Sequence, residues 1–258
     1  MKRLARTLAG KMPQSMVDFL YRHRFNPLVR GARTVGAGRL GDTTKGVLIS
    51  RGPLAGYKFA FSDSLAMWIG GHETAVVDEI LKALEPGMVA YDIGAHVGYT
   101  VLLMAHAVGA GGKIVGYEPD PNNHDLLMTN IALNELGDRV TTRTVALGRE
   151  AGRGSLLRGD LSILTKIESE QGGEVVISTL DEEVYEHSMP PPDLIVIDAE
   201  GAEEDIFEGG ARMLAEYGPI LVCEDHGRRD ELIAQLSRFG YVHKHIDVDH
   251  VLYRRPKD

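Results

Sequence analysis

The feature that most constrains this chain is a series of short, apolar segments separated by stretches with helical spacing. Val89–Ile93, Lys113–Glu118, Val140–Val145, Leu194–Asp198 and Ile220–Glu224 read as strands. Between and after them, Tyr99–Val108, residues 124–136, Glu203–Leu214 and Arg229–Phe239 repeat their apolar positions with the helical period. A strand that is apolar along its whole length must be covered on both faces. Strands of this kind alternating with helices therefore predict a parallel sheet between two helical layers. Tyr241–Ile246 and His250–Tyr253 close the series as an antiparallel pair. Ahead of it, His72–Leu84 places Val76, Val77, Ile80, Leu81 and Leu84 at helical spacing and stops at Pro86 and Gly87. The rhythm breaks between about Gly148 and Pro192, which predicts an inserted hairpin, a short strand at EVVISTL and a small helix.

The chain divides unevenly in charge. Residues 1–60 hold 12 Lys and Arg against 2 Asp and Glu, a balance of +10, whereas the remainder carries −19. Residues 1–60 read as an extension made of helical pieces, a glycine-rich connector and a hairpin at 47–61, ahead of a main domain over 61–258. The basic arm is expected either to dock on the acidic body or to touch an anionic surface. An acidic body argues against nucleic acid as the main partner. One cysteine, Cys223, excludes a disulfide framework and a cysteine-based zinc site. No apolar run approaches the roughly 18–20 residues that cross a bilayer. Together these features predict a cytoplasmic enzyme or binding protein.

The chemistry concentrates where the first strand turns into a helix, at Tyr91-Asp-Ile-Gly-Ala-His-Val-Gly-Tyr-Thr100. The crevice at the carboxyl ends of the strands is where open α/β sheets bind ligands. Gly94 and Gly98 allow a tight turn and a close backbone approach. Their spacing lacks the extra glycine of the dinucleotide fingerprint. A carboxylate at Asp92 would repel a pyrophosphate but suits an ammonium or sulfonium. Glu118, 24 residues after Gly94, ends the second strand, where an acid can accept both hydroxyls of a ribose. The bland alternatives are a ligand-free turn and a helix N-terminal acid.

With these residues in place, the chain resembles the FkbM-type S-adenosylmethionine-dependent methyltransferases. The resemblance runs through YDIGAHVGYT, YEPDPNNHDLLMTNIALN, VALGREAGRGSL, DLIVIDAEGAEEDIFEGGARML and ILVCEDH, over roughly residues 45–253. It implies a Rossmann-like seven-stranded sheet, the last strand antiparallel, with S-adenosylmethionine across the first two strand ends. In that reading Asp92, Gly94, Ala95 and Gly98 cradle the methionine part, with Tyr99 and Thr100 beside it. Glu118 holds the ribose, and Asn123 or Ala146 faces the adenine. His96, Pro119 and Asp198 complete the lining, and Glu73 closes over the cofactor. Three departures stand out: His72 stands where the family has a tyrosine before Glu73, Ala199 replaces the family's usual valine, and Glu224-Asp225-His226 carries one acid more than the family pattern.

The carboxyl ends of the fourth and fifth strands supply Asp198, Glu200, Glu224, Asp225 and His226. Methyl transfer to an oxygen needs an in-line approach and removal of one proton. A neutral histidine suits that proton, so His226 is the expected base, with Asp198, Glu200 and Glu224 orienting it or the acceptor. The same oxygens could share a Mg²⁺ or Mn²⁺ ion, though no complete ligand set is legible and a metal is not expected. His243, His245 and Asp247 read as the solvated face of an edge strand, Cys223 as a buried inert thiol, and Asp160 and Ser162 as turn residues or pocket lining. The expected acceptor, by resemblance, is a hydroxyl of a sugar or sugar-bearing small molecule. An amide or peptide nitrogen is the near alternative. A non-catalytic nucleoside-binding protein on the same scaffold and a nicotinamide-dependent oxidoreductase are the rivals from other classes.

Overall fold

The computed structural model of the chain describes residues 46–60, 67, 73–158, 165–169 and 173–256. The helical pieces and connector expected over residues 1–45, their anionic-surface role, and Asp160 and Ser162 lie outside the described residues. The chain opens with a hairpin, β1 (Val47–Leu48) and β2 (Lys58–Phe59), paired antiparallel, as its alternating pattern predicts. Helix α1 (Thr74–Ala83) leads into strand β3 (Val89–Ile93), helix α2 (Tyr99–Val108) and strand β4 (Lys113–Tyr117). Helix α3 (Pro121–Leu133) precedes β5 (Val140–Arg143), and β6 (Ala146–Leu147), β7 (Gly152–Arg158), β8 (Thr165–Ser169) and β9 (Val175–Ser178) fill the inserted region. Then follow α4 (Leu180–Tyr185), β10 (Leu194–Ile197), α5 (Glu203–Gly209), α6 (Ala211–Tyr217), β11 (Ile220–Glu224), α7 (Arg229–Ser237), β12 (Val242–His245) and β13 (His250–Arg254).

The main sheet has seven strands in the order β12-β13-β11-β10-β3-β4-β5. Pairs β11–β10, β10–β3, β3–β4 and β4–β5 are parallel, and β13 runs antiparallel to both its neighbours. The order reverses between β3 and β10, which opens a crevice above their carboxyl ends. Side-chain alternation assigns the two faces. Ala90, Ile114, Leu194, Val196, Val222 and Leu252 join the core under the hairpin, α1, α2 and α3. Tyr91, Ile93, Val115, Tyr117, Ile195, Ile197, Leu221, Cys223, Val251 and Tyr253 join the core under α4 to α7. The central strands β3, β4, β10 and β11 are largely apolar because both faces are buried, unlike the edge strands β12 and β5. The inserted region forms its own four-stranded sheet, β6-β9-β7-β8, of which the expected hairpin β7–β8 is one part.

Among the boundaries that differ from the sequence reading, three have a clear physical reason. Helix α3 starts three residues early, because the Asp120 carboxylate accepts the Asn122 N–H at 2.8 Å and Pro121 takes the first helical position. The single helix expected over Glu203–Leu214 is two, broken at Gly210. A Cβ on the adjacent Gly209 would lie 2.0 Å from the Gly148 carbonyl oxygen, so the break accommodates the turn after β6. Finally, β5 ends at Arg143, whose guanidinium turns to the buried Glu183 carboxylate at 2.9 Å. Among the described residues, no helix is long and apolar enough to cross a membrane.

Candidate active site

The first half of the cleft lies above β3 and β4. Asp92, near the end of β3, is buried, and among the described residues its Oδ2 has no hydrogen-bond partner. Burial first, and then the charge of Glu118, push its pKa up to about 8. The chain turns through Gly94 (φ 85°) and Gly98 (φ 90°). A Cβ on Gly94 would lie 1.9 Å from the Asp198 carbonyl oxygen, so only glycine lets the loops after β3 and β10 close on one another. Gly94 and Ala95 donate their N–H groups to the Tyr117 carbonyl at 3.1 and 2.9 Å.

Glu118 faces this loop across the crevice. It accepts the His96 N–H and the Asp120 N–H, both at 2.8 Å, and Asn123 Nδ2 at 3.5 Å. Its burial still pushes the pKa up to about 7 against those bonds. Tyr99, the first residue of α2, is buried edge-on against Phe59 of the hairpin, with ring centroids 5.9 Å apart. Burial and the charge of Glu73 push its hydroxyl up to about 12. Thr100 and Pro119 are partly buried beside these groups in the chain. Ala146 lies apart: its side chain packs with Val175 and Ile177 in the core of the small sheet.

The second half lies above β10 and β11 and centres on His226. Its Nδ1 is 3.0 Å from Glu203 Oε1, and its Nε2 is 3.6 Å from Asp198 Oδ1, 3.6 Å from Glu200 Oε2 and 4.0 Å from Glu224 Oε1. The close approach of the Glu203 carboxylate is the main cause that raises the His226 pKa to about 9, although the angle at Nδ1 is too poor for a well-formed hydrogen bond; burial opposes the rise, and the surrounding carboxylates add to it. Glu203 is fully buried and accepts the N–H groups of Ala199 at 3.2 Å and Gly201 at 3.1 Å. Burial works against its ionisation, but His226, its own amide and that of Gly201 hold its pKa below the usual carboxylate value. Asp198 leaves half of its side chain accessible (51%), yet its crowded surroundings and the charges of Glu224, Glu73 and Glu200 raise its pKa well above normal. Glu224 is raised too, by burial, with His250 and His226 partly offsetting it.

Glu73 connects the halves, since its charge reaches Asp92, Asp198 and Glu224. It also belongs to a pattern of backbone strain. Six described non-glycine residues have positive φ, and four of them, Glu73, His96, Glu200 and His226, line this cleft. Residues held in that region cluster where the surrounding structure fixes them for function.

Among the described residues, His96, Glu118 and Asn123 meet in the first half of the cleft and Asp198, Glu200, Glu224 and His226 in the second, whereas Ala146 lies apart and Asp160 and Ser162 lie outside the described residues. Asp225, the extra acid, is accounted for: it is buried, accepts the Gly227 N–H at 3.0 Å and pairs with Arg229 Nε at 2.6 Å. Cys223 is buried with its thiol pKa raised by that burial. All four residues of β12 are exposed, as the edge-strand reading requires. Glu203 was not singled out from sequence, since it looks like an ordinary helix N-terminal acid. His250, which the sequence groups with His243, His245, Asp247 and Asp249 in a tail that invites a metal reading, is buried with Nδ1 2.9 Å from Asp247 and Nε2 3.7 Å from Glu224. One ligand atom each from Asp198, Glu224 and His226 lie within 4.8 Å of one another, a cluster able to share a proton or hold a cation.

Residues 92–248 match the family model described as the Methyltransferase FkbM domain. No curated protein sequence matches the chain. Among solved structures, the methyltransferase FkbM from Methylobacillus flagellatus KT is similar at 18% identity and a TM-score of 0.49, covering 66% of this chain and 44% of that one. This chain therefore spans less than half the length of that relative. An S-adenosylmethionine-dependent O-methyltransferase from Thermotoga maritima is similar at 13% identity and a TM-score of 0.45, covering 74% and 67%. An O-methyltransferase from Bacillus cereus in complex with S-adenosylhomocysteine is similar at 18% identity and a TM-score of 0.40, covering 69% and 77%.

Proposed function

The chain belongs to the FkbM methyltransferase family, and from that membership we propose that it transfers a methyl group from S-adenosylmethionine to a hydroxyl of a sugar or sugar-bearing small molecule. The observation that carries the cofactor assignment is the pair of buried carboxylates, Asp92 and Glu118, on either side of the Gly94–Gly98 turn. A phosphate-bearing cofactor would meet two acidic groups there and push both of their pKa values further up. A ligand with a cationic centre and a ribose suits these two groups: a counter-charge for Asp92, whose Oδ2 has no partner among the described residues, and hydroxyl donors for Glu118. The residues therefore fit S-adenosylmethionine.

When bound, the cofactor supplies the methyl group: the acceptor oxygen forms the new C–O bond while the C–S bond breaks and its electron pair stays on sulfur. The chain's own work is positioning and proton handling. Asp198, Glu200 and Glu224 present acceptor oxygens around the position an incoming hydroxyl would take. His226 Nε2 faces the same space and takes the hydroxyl proton, while Glu203 holds the ring from its other nitrogen. With a pKa of about 9, His226 retains its proton in the free protein near neutral pH. It acts as a base only once that proton is lost, and a positive charge in the cleft favours the loss.

Titration with S-adenosylhomocysteine and, separately, with NAD tests the cofactor. Thermal stabilisation by the first and not the second is expected. Mass spectrometry for one added methyl over a panel of sugars, glycolipids and modified peptides tests the acceptor. Labelling confined to nitrogen acceptors would replace the O-methyl reading.

A further inference from the structure

Helix α3 carries two asparagines one turn apart, Asn130 and Asn134, and both reach the free edge of the hairpin. Strand β2 uses one edge for β1, where the Ile49 N–H donates to the Tyr57 carbonyl at 2.8 Å. On the other edge, Lys58 donates its N–H to Asn134 Oδ1 at 2.9 Å, and Asn134 Nδ2 donates back to the Lys58 carbonyl at 2.7 Å. Two residues on, Ala60 donates its N–H to Asn130 Oδ1 at 2.7 Å, and Asn130 Nδ2 donates to the Ala60 carbonyl at 3.3 Å. The spacing works because two strand residues rise about 6.6 Å and four helix residues about 6.0 Å. Side-chain amides with a peptide's donor and acceptor thus replace a third strand.

The two asparagines are not equivalent. Asn134 spends its remaining N–H on its own helix, at the Asn130 carbonyl, 2.8 Å away. Asn130 spends its on the Val97 carbonyl at 2.8 Å, inside the turn between Gly94 and Gly98. Asn130 is fully buried, and its one amide ties the hairpin and the turn together. A second contact joins the same parts: Phe59 packs edge-on against Tyr99 at the start of α2.

We propose that Asn130 is a positioning residue for the cofactor turn, its amide holding residues 94–98 against the Ala60 end of the hairpin. The cofactor half of this statement rests on the turn being the S-adenosylmethionine site. The hairpin is then a working part of the catalytic body rather than an appendage to it.

Hydrogen exchange of the free full-length chain, followed by S-adenosylhomocysteine titration, tests this with Asn130→Leu, Asn130→Asp and Asn134→Leu. Asn134→Leu is expected to speed exchange over residues 46–60 alone and to leave the affinity within about twofold. Either Asn130 variant is expected to speed exchange over both 46–60 and 94–98 and to weaken binding by about tenfold, the equivalent of one net hydrogen bond. Asn130→Asp keeps the acceptor for Ala60 and so serves if the leucine variant fails to fold. Wild-type exchange over 94–98 in a folded Asn130 variant, or equal affinities for the Asn130 and Asn134 variants, would overturn the proposal. A wild-type chain that ignores S-adenosylhomocysteine defeats the cofactor reading instead, while exchange over 94–98 still decides whether Asn130 couples the hairpin to the turn.

Discussion

Replacing Asp92 by asparagine should stabilise the free protein while weakening its hold on the cofactor. The carboxyl is buried, has one oxygen without a partner among the described residues, and has its pKa raised from the ordinary 3.8 to about 8. The sign follows from proton linkage. Between those two pH values the folded chain binds the Asp92 proton and the unfolded chain does not, so stability falls as pH rises from about 4 to about 8. At 1.36 kcal/mol for each pKa unit, the destabilisation above pH 8 reaches at most about 6 kcal/mol. The asparagine amide removes the titration but is itself desolvated in the same place, so a net gain of roughly 2–4 kcal/mol at pH 8 is expected. For a chain of this size that raises Tm by about 5–10 °C.

Below pH 4 the two proteins should differ little, because wild-type Asp92 is then protonated in both states. Thermal melts of wild type and Asp92→Asn from pH 4 to pH 9 read both the sign and the window. Calorimetric titration with S-adenosylmethionine and S-adenosylhomocysteine should show the variant binding at least tenfold more weakly, since its neutral amide offers no counter-charge. Glu118, Asp198 and His226 leave some slope in the variant, so the wild-type slope shrinks rather than vanishes. An Asp92→Asn protein less stable than wild type at pH 8, with the same pH dependence, would refute the argument that this carboxylate is uncompensated in the free fold.

Other outcomes follow from the second half of the cleft. His226→Ala should leave S-adenosylhomocysteine affinity nearly unchanged and slow turnover by about 10²–10⁴-fold, measured by methyl incorporation; unchanged turnover would move the proton to Asp198 or Glu200. Turnover of the wild type should rise with pH as His226 loses its proton, and Glu203→Gln should move that rise to lower pH, because the adjacent carboxylate that raises the histidine pKa is gone. The raised histidine pKa also contributes stability that is present in full below pH 6.5 and lost as pH passes about 9, which melts of His226→Ala against wild type would expose. Treatment with EDTA should leave turnover intact; its abolition and recovery with Mg²⁺ or Mn²⁺ would identify the Asp198, Glu224 and His226 cluster as a metal site.

The fold was legible in the sequence wherever burial on both faces left a continuous apolar run. β3, α2 and β11 begin and end where the pattern predicts, because no local polar group competes with the core. Boundaries drifted where one side chain or one close approach decided them, as with the Asp120 cap on α3 and the glycines between α5 and α6. The site divides in the same way. Asp92, Glu118 and His226 announce themselves because a charged residue ends an apolar strand, and the topology of the sheet carries all such ends to one edge. Glu203 and Asn130 escape that logic. Each sits within a helix or at its start, where an acid or an amide is unremarkable. Their roles depend on a neighbour 23 residues away for Glu203 and 33 and 70 residues away for Asn130. Strand-end chemistry is thus readable from local pattern, whereas the groups that hold it in place are fixed by tertiary contact. In this cleft those groups are the fully buried ones, Glu203 behind the histidine and Asn130 behind the cofactor turn. A substitution at either should therefore disturb geometry before it disturbs charge, which is why exchange rates and pH profiles, rather than loss of activity alone, separate their roles from those of the residues they support.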